Sequence, residues 1–389
     1  MTADDSRRPG VPAALVRGGT SKGGYFERDD LPDDRKRCGS LLSRLFGSPD
    51  PMQLDGVGGS HSTTSKAMVV AAGEGATDVE YTFAQVGIER PVVDWGGNCG
   101  NLTFGVGPFA LERGLVTPKA VDEQASADER RVTLRLENTN TGTRVEQSVP
   151  LGPSGQPEYA GTFDVAGLPR SGARIRSRFL DPAGAMTDAL FPTGHRTDVL
   201  DVPDFGAVEV SLVDVSNPCV FVRASDVGCT AAERPTEIDA DADLLARLER
   251  IRSAACERLG IVADAADATA ESPGVPKLAV VGERRTYETV DGDRITPDEY
   301  DLLARILSMG TAHHAYAVTG AMCTAAAAVL DGTIPSEFLA EGATDAVTIA
   351  HPKGTLRVGV NRDGEAIAAT TVDRTARVLM NGRLYDPKA

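Results

Sequence analysis

The feature that most constrains the fold is a pair of segments in which apolar and polar residues alternate with period two. Val132–Glu137 alternates strictly, Asn138-Thr-Asn-Thr-Gly142 can turn the chain, and Thr143–Val149 alternates again. Alternation on both sides of a short turn predicts an antiparallel β-hairpin. A doubly wound parallel sheet is not expected, because its helices would alternate regularly with its strands.

Further strand-like runs are numerous and irregularly spaced along the chain. They are Pro12–Val16, Lys66–Ala71, Val79–Ile88, Val208–Val215, Val220–Val222, Lys277–Val281 and Leu356–Val360. Runs of this length, rich in β-branched and apolar residues, are typical of strands. The sequence therefore predicts a protein in which sheet predominates.

Fewer segments have a helical pattern of apolar residues. They are Asp33–Phe46, Leu102–Arg113, Ala242–Leu259, Asp298–Leu307 and Ala321–Leu330. The fourth follows Thr296 and Pro297, so a hydroxyl stands at the N-cap, proline at the first helical position and the carboxylate of Glu299 three residues after the cap. This capping pattern predicts a helix that begins there.

The length of 389 residues suggests two domains, at roughly 100–200 residues for each. Proline, glycine and polar residues interrupt regular structure over Asp181–Pro203, so we expect one domain over residues 1–190 and another over 191–389, whose last strand can return to the first. Each part runs from strands through a small-residue turn, with a cysteine nearby, into an apolar helix. We therefore expect two pseudo-symmetric halves, each with a sheet around one helix.

Charge and cysteine content limit the partners and the compartment. Lys and Arg number 40 against 56 Asp and Glu, which gives a net charge of −16, and this field repels phosphate backbones and anionic membrane surfaces. The six cysteines form no CxxC pair and no metal-finger spacing. The weakly polar run over Thr319–Leu330 is too short to span a bilayer. We expect a cytoplasmic protein that binds neither nucleic acid nor membrane.

Three glycine-rich clusters lie within the first hundred or so residues, over Arg17–Gly23, Gly58–Lys66 and Gly96–Asn101. Glycine allows close backbone approach, and successive N–H groups in such turns form concave anion sites. None of the clusters has the glycine spacing of a phosphate-binding loop or of a dinucleotide fingerprint. Together with their basic and hydroxyl side chains, they predict a pocket for a small anion on an otherwise acidic protein.

Two residues of these clusters are candidates for proton transfer. Cys99 stands between glycines just before an apolar helical segment, and the positive end of a helix dipole stabilises a thiolate. Lys66 begins an apolar strand, where partial burial favours the neutral amine that can act as a general base. Packing roles remain open for both: Cys99 as a buried structural thiol, Lys66 as a salt-bridged lysine.

The second half offers fewer candidates. His313, beside His314, is expected to meet a substrate carboxylate, and no carboxylate stands at ligand spacing from this pair, so no metal site is predicted. Cys323 lies in an alanine-rich helical segment and Cys219 at the start of a strand, where core packing is the simpler interpretation of both thiols. The acidic, small-residue stretch 263–274 is interpreted as a surface insertion.

Taken together, these motifs resemble the PrpF family, whose members adopt the diaminopimelate epimerase-like fold. The resemblance rests on the three glycine-rich clusters and on Pro192-Thr-Gly194, Ser216-Asn-Pro218, His313-His-Ala-Tyr316, Thr319-Gly320 and Arg374–Met380, which occur in order over nearly the whole chain. It implies an α+β protein of two β-barrel-like halves, each wrapped around a central helix, with the active site in the cleft between them and no metal or organic cofactor.

The resemblance also implies an activity. The family includes 2-methylaconitate isomerase, 4-oxalomesaconate tautomerase and methylitaconate Δ-isomerase, which move a proton across an allylic system of a small unsaturated polycarboxylate. At the matching positions, Lys66 is the expected base and Cys99 its catalytic partner. The expected substrate-binding residues are Arg17, Ser21, Lys22, Gly59, Ser60, Thr64, Ser65, Asn98, Gly100, Asn101 and His313.

Two other functions stay open at this point. Racemases of the same fold use two cysteines that face each other across the cleft, so an amino-acid racemase or epimerase would need Cys323 opposite Cys99. A non-catalytic carboxylate-binding accessory protein would bind the same acids without converting them. The sequence leaves the assembly state open between a monomer and a homodimer.

Overall fold

A computed structural model of the chain describes residues 10–117 and 130–388. The strands are β1 (Val11–Gly18), β2 (Ser21–Glu27), β3 (Lys66–Ala72), β4 (Val79–Val86), β5 (Val93–Asp94), β6 (Arg131–Asn138), β7 (Arg144–Pro150), β8 (Ile175–Leu180), β9 (Asp198–Val202), β10 (Gly206–Val215), β11 (Asn217–Arg223), β12 (Lys277–Gly282), β13 (Tyr287–Glu288), β14 (Arg294–Ile295), β15 (Leu302–Ser308), β16 (Thr311–Ala312), β17 (Ala346–His351), β18 (Gly354–Asp363), β19 (Ala366–Arg374) and β20 (Ala376–Leu384). The α-helices are α1 (Arg35–Phe46), α2 (Gly100–Thr103), α3 (Val106–Glu112), α4 (Ala224–Val227), α5 (Pro235–Ala240), α6 (Ala242–Arg258), α7 (Ala268–Glu271), α8 (Val318–Ala328) and α9 (Ile334–Glu337).

The long strands pair side by side in one order, from β20 through β1, β2, β3, β4, β6, β7 and β8 to β19, and then through β18, β17, β15, β12, β11 and β10 to β9. The short strands β5 and β16 pair with β4 and β15. The contact between β8 and β19 joins the first part of the sheet to the second.

The pairing pattern of β1–β8 repeats in β10–β19. In the first part β2 and β3 are parallel, β3 and β4 antiparallel, and β4 and β6 parallel. In the second part β11 and β12 are parallel, β12 and β15 antiparallel, and β15 and β17 parallel. Helices α2 and α3 lie between β5 and β6 in the chain, and α8 and α9 lie between β16 and β17. The two pseudo-symmetric halves expected from the sequence are therefore confirmed, with β3 equivalent to β12 and α2 equivalent to α8.

One large apolar cluster connects the halves and surrounds the two central helical segments. All eleven residues of α8 are buried, and its alanines and Gly320 let the strands approach closely. A Cβ atom at Gly320 would lie 2.2 Å from Ile306 Cδ1 of β15, so a larger residue there would displace the end of the Ile306 side chain. Packing against the sheet, rather than an amphipathic pattern, therefore keeps this segment helical.

Most of the predicted elements are confirmed, including the hairpin, in which Val132 pairs with Val149 and Leu136 with Val145. The predicted helix Leu102–Arg113 is divided into α2 and α3 around Phe104 and Gly105.

The predicted helix Asp298–Leu307 is wrong. Thr296 and Glu299 do form their capping pair, with Thr296 N donating to Glu299 Oε2 over 2.7 Å, but the turn Pro297–Glu299 is a single 3-10 turn. The chain then enters β15, whose residues Leu302–Leu307 are all buried. A run that is apolar except for Arg305 suits a strand covered on both faces, and Arg305 is buried with its guanidinium donating to Glu233 O and Ala304 O. The helical spacing in the run was coincidental.

The stretch 263–274 is more than a surface insertion, because it ends at the cleft between the halves. Arg252 of α6 holds the last turn of this stretch, with Nη1 donating to Ser272 O over 2.9 Å and to Val275 O over 3.4 Å.

Strand β20, the last strand of the chain, pairs with β1 of the first half. The domain boundary near residue 190 stays a prediction.

Candidate functional site

A cleft of about 590 Å³ lies between the two halves. Seven of the residues expected at the site line it, namely Ser21, Lys66, Asn98, Cys99, Gly100, Asn101 and His313. The second half contributes Asn217, Gly274, Val275, Lys277, Ser308, Met309, Ala317, Val318 and Thr319, and the first half adds Ser62, Thr63, Phe83, Gln85, Asp94 and Gly97. The cleft therefore draws on both halves and on the starts of β2, β3, α2, β11, β12 and α8.

Lys66 is the first residue of β3, and two neighbours on β4 fix its side chain. Its Nζ donates to Gln85 Oε1 over 2.6 Å and lies 5.1 Å from the centre of the Phe83 ring. Gln85 Nε2 donates to Ser65 O over 2.9 Å and to Ser62 O over 3.1 Å, so the amide can turn only its oxygen toward the lysine. The amine of Lys66 is thus held at the cleft by contacts that orient it without neutralising it.

Cys99 occupies the N-cap position of α2, and its side chain is buried, with the residue 8% exposed. Its carbonyl oxygen accepts from Thr103 N over 3.0 Å and from Thr103 Oγ1 over 3.1 Å, which fixes the start of the helix. Asn98 Nδ2 donates to the hydroxyl of Tyr81 over 3.2 Å, and burial raises the pKa of that phenol to about 12. The Cys99 thiol therefore lies near Asn98 and Tyr81, two uncharged side chains that are hydrogen-bonded to each other.

The helix starts of α2 and α8 meet at the cleft. A Cβ atom at Gly100 would lie 2.7 Å from Val318 Cγ1 and 3.2 Å from Thr319 N, so only glycine fits between them. Asn101 ties α2 to the turn between β1 and β2, because its Oδ1 accepts from Thr20 N over 3.2 Å. Its Nδ2 also donates to Thr20 Oγ1 over 3.3 Å, and its role in substrate binding stays a prediction.

The chain brings His61, His313 and His314 together beside the cleft. The rings of His313 and His314 stack with their centres 4.8 Å apart, and the ring of His61 meets His314 edge-on at 5.7 Å. Burial, followed by the neighbouring charges of His314 and Lys66, lowers the pKa of His313 well below its usual range. Its Nδ1 accepts from Ala315 N over 3.1 Å, so the neutral ring carries its proton on Nε2. His313 therefore offers a neutral hydrogen-bond donor rather than a cation.

The other residues expected to bind substrate do not line the cleft; they are Arg17, Lys22, Gly59, Ser60, Thr64 and Ser65. Arg17 Nη1 donates to Thr375 Oγ1 over 2.7 Å, and burial and then Arg377 lower the pKa of Arg17 to about 10. Ser65 Oγ accepts from Gln53 Nε2 over 2.8 Å, and Ser60 N donates to Gln53 Oε1 over 3.0 Å.

These contacts shape the loop that carries Ser62 and Thr63 to the cleft, and Lys22 N donates to Thr63 O over 3.0 Å. The binding roles of the six residues stay predictions.

Sequence reasoning missed four polar residues of the second half that line the cleft, namely Asn217, Lys277, Ser308 and Thr319. Lys277 begins β12 and Asn217 begins β11, and both are buried at the cleft. A signal for Lys277 existed, since it is one of seven lysines in the chain and it opens the apolar run Lys277-Leu-Ala-Val-Val281. Asn217 stands in the Ser216-Asn-Pro218 motif that contributes to the family resemblance, but no binding role was assigned to it from the sequence.

Cys323 does not face Cys99. It is fully buried in α8, and its Sγ lies 3.2 Å from Val213 O, to which it donates. The residue of α8 equivalent to Cys99 is the N-cap Ala317. The packing role expected for Cys323 is confirmed, and the opposed pair of thiols that a racemase would need is not formed by these two residues.

The comparisons with known proteins agree with this geometry. The family model described as PrpF protein matches residues 9–387. The chain belongs to the PrpF family. It is 40% identical to the 3-methylitaconate isomerase of Eubacterium barkeri over 97% of this chain and 98% of that protein. It is 37% identical to the 2-methyl-aconitate isomerase of Shewanella oneidensis, with 97% of each chain covered, and 37% identical to the (4E)-oxalomesaconate Delta-isomerase of Novosphingobium sp., with 99% and 100% covered.

Solved structures give the same relationship. The crystal structure of methylitaconate-delta-isomerase superposes with a TM-score of 0.78 at 38% identity and covers 98% of this PrpF-family chain and 97% of its own. A hydroxyproline epimerase from Agrobacterium vitis superposes with a TM-score of 0.52 at 11% identity, covering 97% of this chain and 93% of its own, which shows a shared fold. The fold expected from the resemblance is thus confirmed.

Two further properties concern the described residues alone. Over residues 10–117 and 130–388, no three or more His, Cys, Asp or Glu side chains are grouped in a way that could hold a metal ion. No helix in those two ranges is both long and apolar enough to cross a membrane.

Proposed function

We propose that the protein is an isomerase that moves a proton and a double bond within a small unsaturated di- or tricarboxylate. Three curated relatives that align over nearly their whole lengths bear the names of such isomerases. The observation that carries the proposal is that Lys66 and Cys99 line one cleft beside several hydrogen-bond donors. The substrate candidates are 2-methylaconitate, methylitaconate and 4-oxalomesaconate.

The proposed reaction begins when the amine of Lys66 acts as the general base and removes an allylic proton from the substrate. The electron pair of the broken C–H bond spreads over the double bond and the conjugated carboxylate as a dienolate, and Lys66 becomes an ammonium ion. Proton transfer by a positioned side chain of this kind contributes roughly 10²–10⁴ in rate. The contacts of Nζ with Gln85 and Phe83 aim the amine and stabilise the ammonium that forms.

Cys99 completes the reaction in this proposal. Its thiol gives a proton to the carbon at the other end of the allylic system, the double bond forms at its new position, and a thiolate remains. That thiolate stands at the N-cap of α2, where the first N–H groups of a helix have no partner within the helix. A proton then passes from the Lys66 ammonium to the thiolate and restores both groups. Because the bond that was double is single in the dienolate, rotation about it also allows cis–trans isomerisation.

Substrate carboxylates would dock on the polar groups that the cleft presents. Ser21 and His313 provide hydrogen-bond donors to a substrate carboxylate. The N–H groups in the first turns of α2 and α8, at the cleft, would also favour its negative charge. Asp94 is the acidic member of the lining, and its Oδ1 already accepts from Gly96 N over 2.7 Å. We propose the cytoplasm as the compartment, since all six cysteines are free thiols, as expected under reducing conditions.

The racemase alternative is not favoured, because Ala317 stands where its second thiol would be needed. A screen of isomerisation tests the remaining choice. The purified protein would be incubated with each of the three candidate acids and with aconitate, and products followed by proton NMR. We expect one or more acids to isomerise, with Lys66→Met and Cys99→Ala inactive and the controls Lys36→Met and Cys229→Ala active.

The controls are matched because Lys36 is exposed on α1 and Cys229 lies outside the cleft lining. If the wild type binds these acids and converts none of them, the accessory-protein function replaces the proposal. Exchange of an amino-acid α-proton, with no reaction of the unsaturated acids, would support the racemase instead.

A further inference from the structure

We propose that Lys277 is a second substrate-contacting lysine, which binds the carboxylate conjugated to the migrating double bond and stabilises the dienolate. The inference rests on the proposed function and adds to it the group that receives the developing negative charge. Three observations carry it: the internal repeat of the fold, the surroundings of the Lys277 amine, and the contacts that hold this amine in place.

The internal repeat places Lys277 opposite Lys66. Lys66 is the first residue of β3, and Lys277 is the first residue of β12, the equivalent strand of the second half. The strand before each lysine in the sheet begins with a polar residue of the cleft, Ser21 on β2 and Asn217 on β11. The repeat therefore preserves a lysine and a polar neighbour on both sides, while it replaces Cys99 by Ala317. The feature that the two halves share is a lysine amine at the cleft.

The amine of Lys277 is buried with no carboxylate to neutralise it. The residue is 8% exposed, and its Nζ donates to Gly274 O over 3.0 Å. Among the described residues, no Asp or Glu forms an ion pair with it, although Asp94 lines the same cleft. An ammonium has three N–H donors, so two remain after the contact with Gly274. A carboxylate in the cleft would satisfy them.

An unpaired, buried ammonium group lowers the stability of the folded protein. Burial lowers the pKa of Lys277 and Lys66 adds to the lowering, while Cys219, Cys99 and Asp94 act in the opposite direction. Because a buried charge without a partner destabilises a protein, a residue of this kind is explained better by ligand binding than by stability. A bound carboxylate would supply the partner that the Lys277 amine lacks.

The position of the amine is held by its surroundings. Gly274 O is fixed because Arg252 Nη1 binds the carbonyl groups of Ser272 and Val275, and Arg252 itself pairs with Glu249 over 2.6 Å. On the other side a Cβ atom at Gly320 of α8 would lie 3.7 Å from Lys277 Cδ. The stem of the lysine is therefore confined, and its amine is preorganised for a ligand rather than free to move away.

Binding of a tricarboxylate that cannot isomerise tests the inference apart from catalysis. Tricarballylate is saturated, so its dissociation constant can be measured by calorimetry for the wild type, Lys277→Met and Lys277→Arg. Hydrogen bonds to charged groups predict a loss of affinity of roughly 10- to 100-fold in Lys277→Met, with part of it restored in Lys277→Arg. The same loss should appear in a Cys99→Ser background, because Lys277 contacts the ligand and does not act through the thiol.

Kinetics and stability complete the test. In Lys277→Met we expect kcat/KM to fall by roughly 10²–10³, as when a donor to a developing oxyanion is removed, while the melting temperature stays the same or rises. Unchanged affinity for tricarballylate in Lys277→Met would overturn the inference. So would loss of folding in both Lys277→Met and Lys277→Gln, because the lysine would then be structural. A wild type that converts none of the candidate acids contradicts the proposed function itself, which keeps the two failures distinct.

Discussion

Gly100→Ala perturbs the contact on which the cleft depends most directly, the meeting of α2 and α8. The new Cβ atom would lie 2.7 Å from Val318 Cγ1, 2.9 Å from Val318 Cβ and 3.2 Å from Thr319 N. None of these atoms is the far end of a flexible side chain, so one of the two helices must shift. Overpacking of this kind costs about 1–3 kcal/mol.

Helix propensity acts in the opposite direction and is too weak to compensate. Replacing glycine by alanine inside a helix gains at most about 1 kcal/mol, and α2 has only four residues, with Gly100 at its first position. We therefore expect the free energy of unfolding of Gly100→Ala to fall by about 1–2 kcal/mol. Since Cys99 precedes Gly100, we also expect kcat to fall by about tenfold or more.

Denaturant unfolding of four proteins would measure the effect: the wild type, Gly100→Ala, Val318→Ala and the double variant. Val318→Ala removes the atom nearest to the new Cβ, so the double variant should lose at least about 0.5 kcal/mol less than the sum of the single losses. The reasoning is refuted if Gly100→Ala unfolds like the wild type, or if the two losses add fully.

Three other predictions concern residues around the cleft. Burial, followed by His61, lowers the pKa of His314 to about 4. Between about pH 6.5 and 4 the unfolded chain therefore binds a proton that the folded chain does not. The unfolding temperature should decrease as the pH is lowered through this range, and it should decrease less in His314→Gln. In Gln85→Glu a carboxylate would replace the amide oxygen that lies 2.6 Å from Lys66 Nζ. Because this carboxylate favours the ammonium form of Lys66 and repels an anionic substrate, steady-state kinetics should show kcat/KM reduced by roughly 10². An unchanged kcat/KM would contradict the role of Lys66. Cys323→Ala should keep the wild-type kcat while its free energy of unfolding falls by about 1–2 kcal/mol, since the thiol is buried in α8; a loss of activity equal to that of Cys99→Ala would restore the racemase.

Local sequence patterns were sufficient to predict those parts of the structure that depend on one local physical constraint. The hairpin of β6 and β7 has a polar outer face, so its alternation is visible in the sequence. Lys66 and Cys99 stand in glycine-rich clusters, which pointed to an anion pocket, and both residues line the cleft.

Other features depend on packing between distant segments. The run Leu302–Leu307 is apolar except for Arg305, and only its place between β12 and β17 makes it a strand rather than a helix. Lys277 looks like the edge of a core strand until the sheet brings it to the same cleft as Lys66, which lies more than two hundred residues earlier in the chain. Conversely, Arg17 and Ser65 belong to the glycine-rich clusters that line part of the cleft, but their own side chains are hydrogen-bonded to Thr375 and Gln53.

Deuterium incorporation in D₂O, resolved by carbon position, tests the central claim that Lys66 removes the allylic proton and Cys99 returns it at the other end. NMR would follow the wild type, Lys66→Met and Cys99→Ser with an acid that the wild type isomerises. The account predicts isomerisation with deuterium uptake in the wild type, and neither process in Lys66→Met. In Cys99→Ser it predicts uptake at the deprotonated carbon with little isomerisation. Uptake at that carbon by Lys66→Met at the wild-type rate would contradict the account.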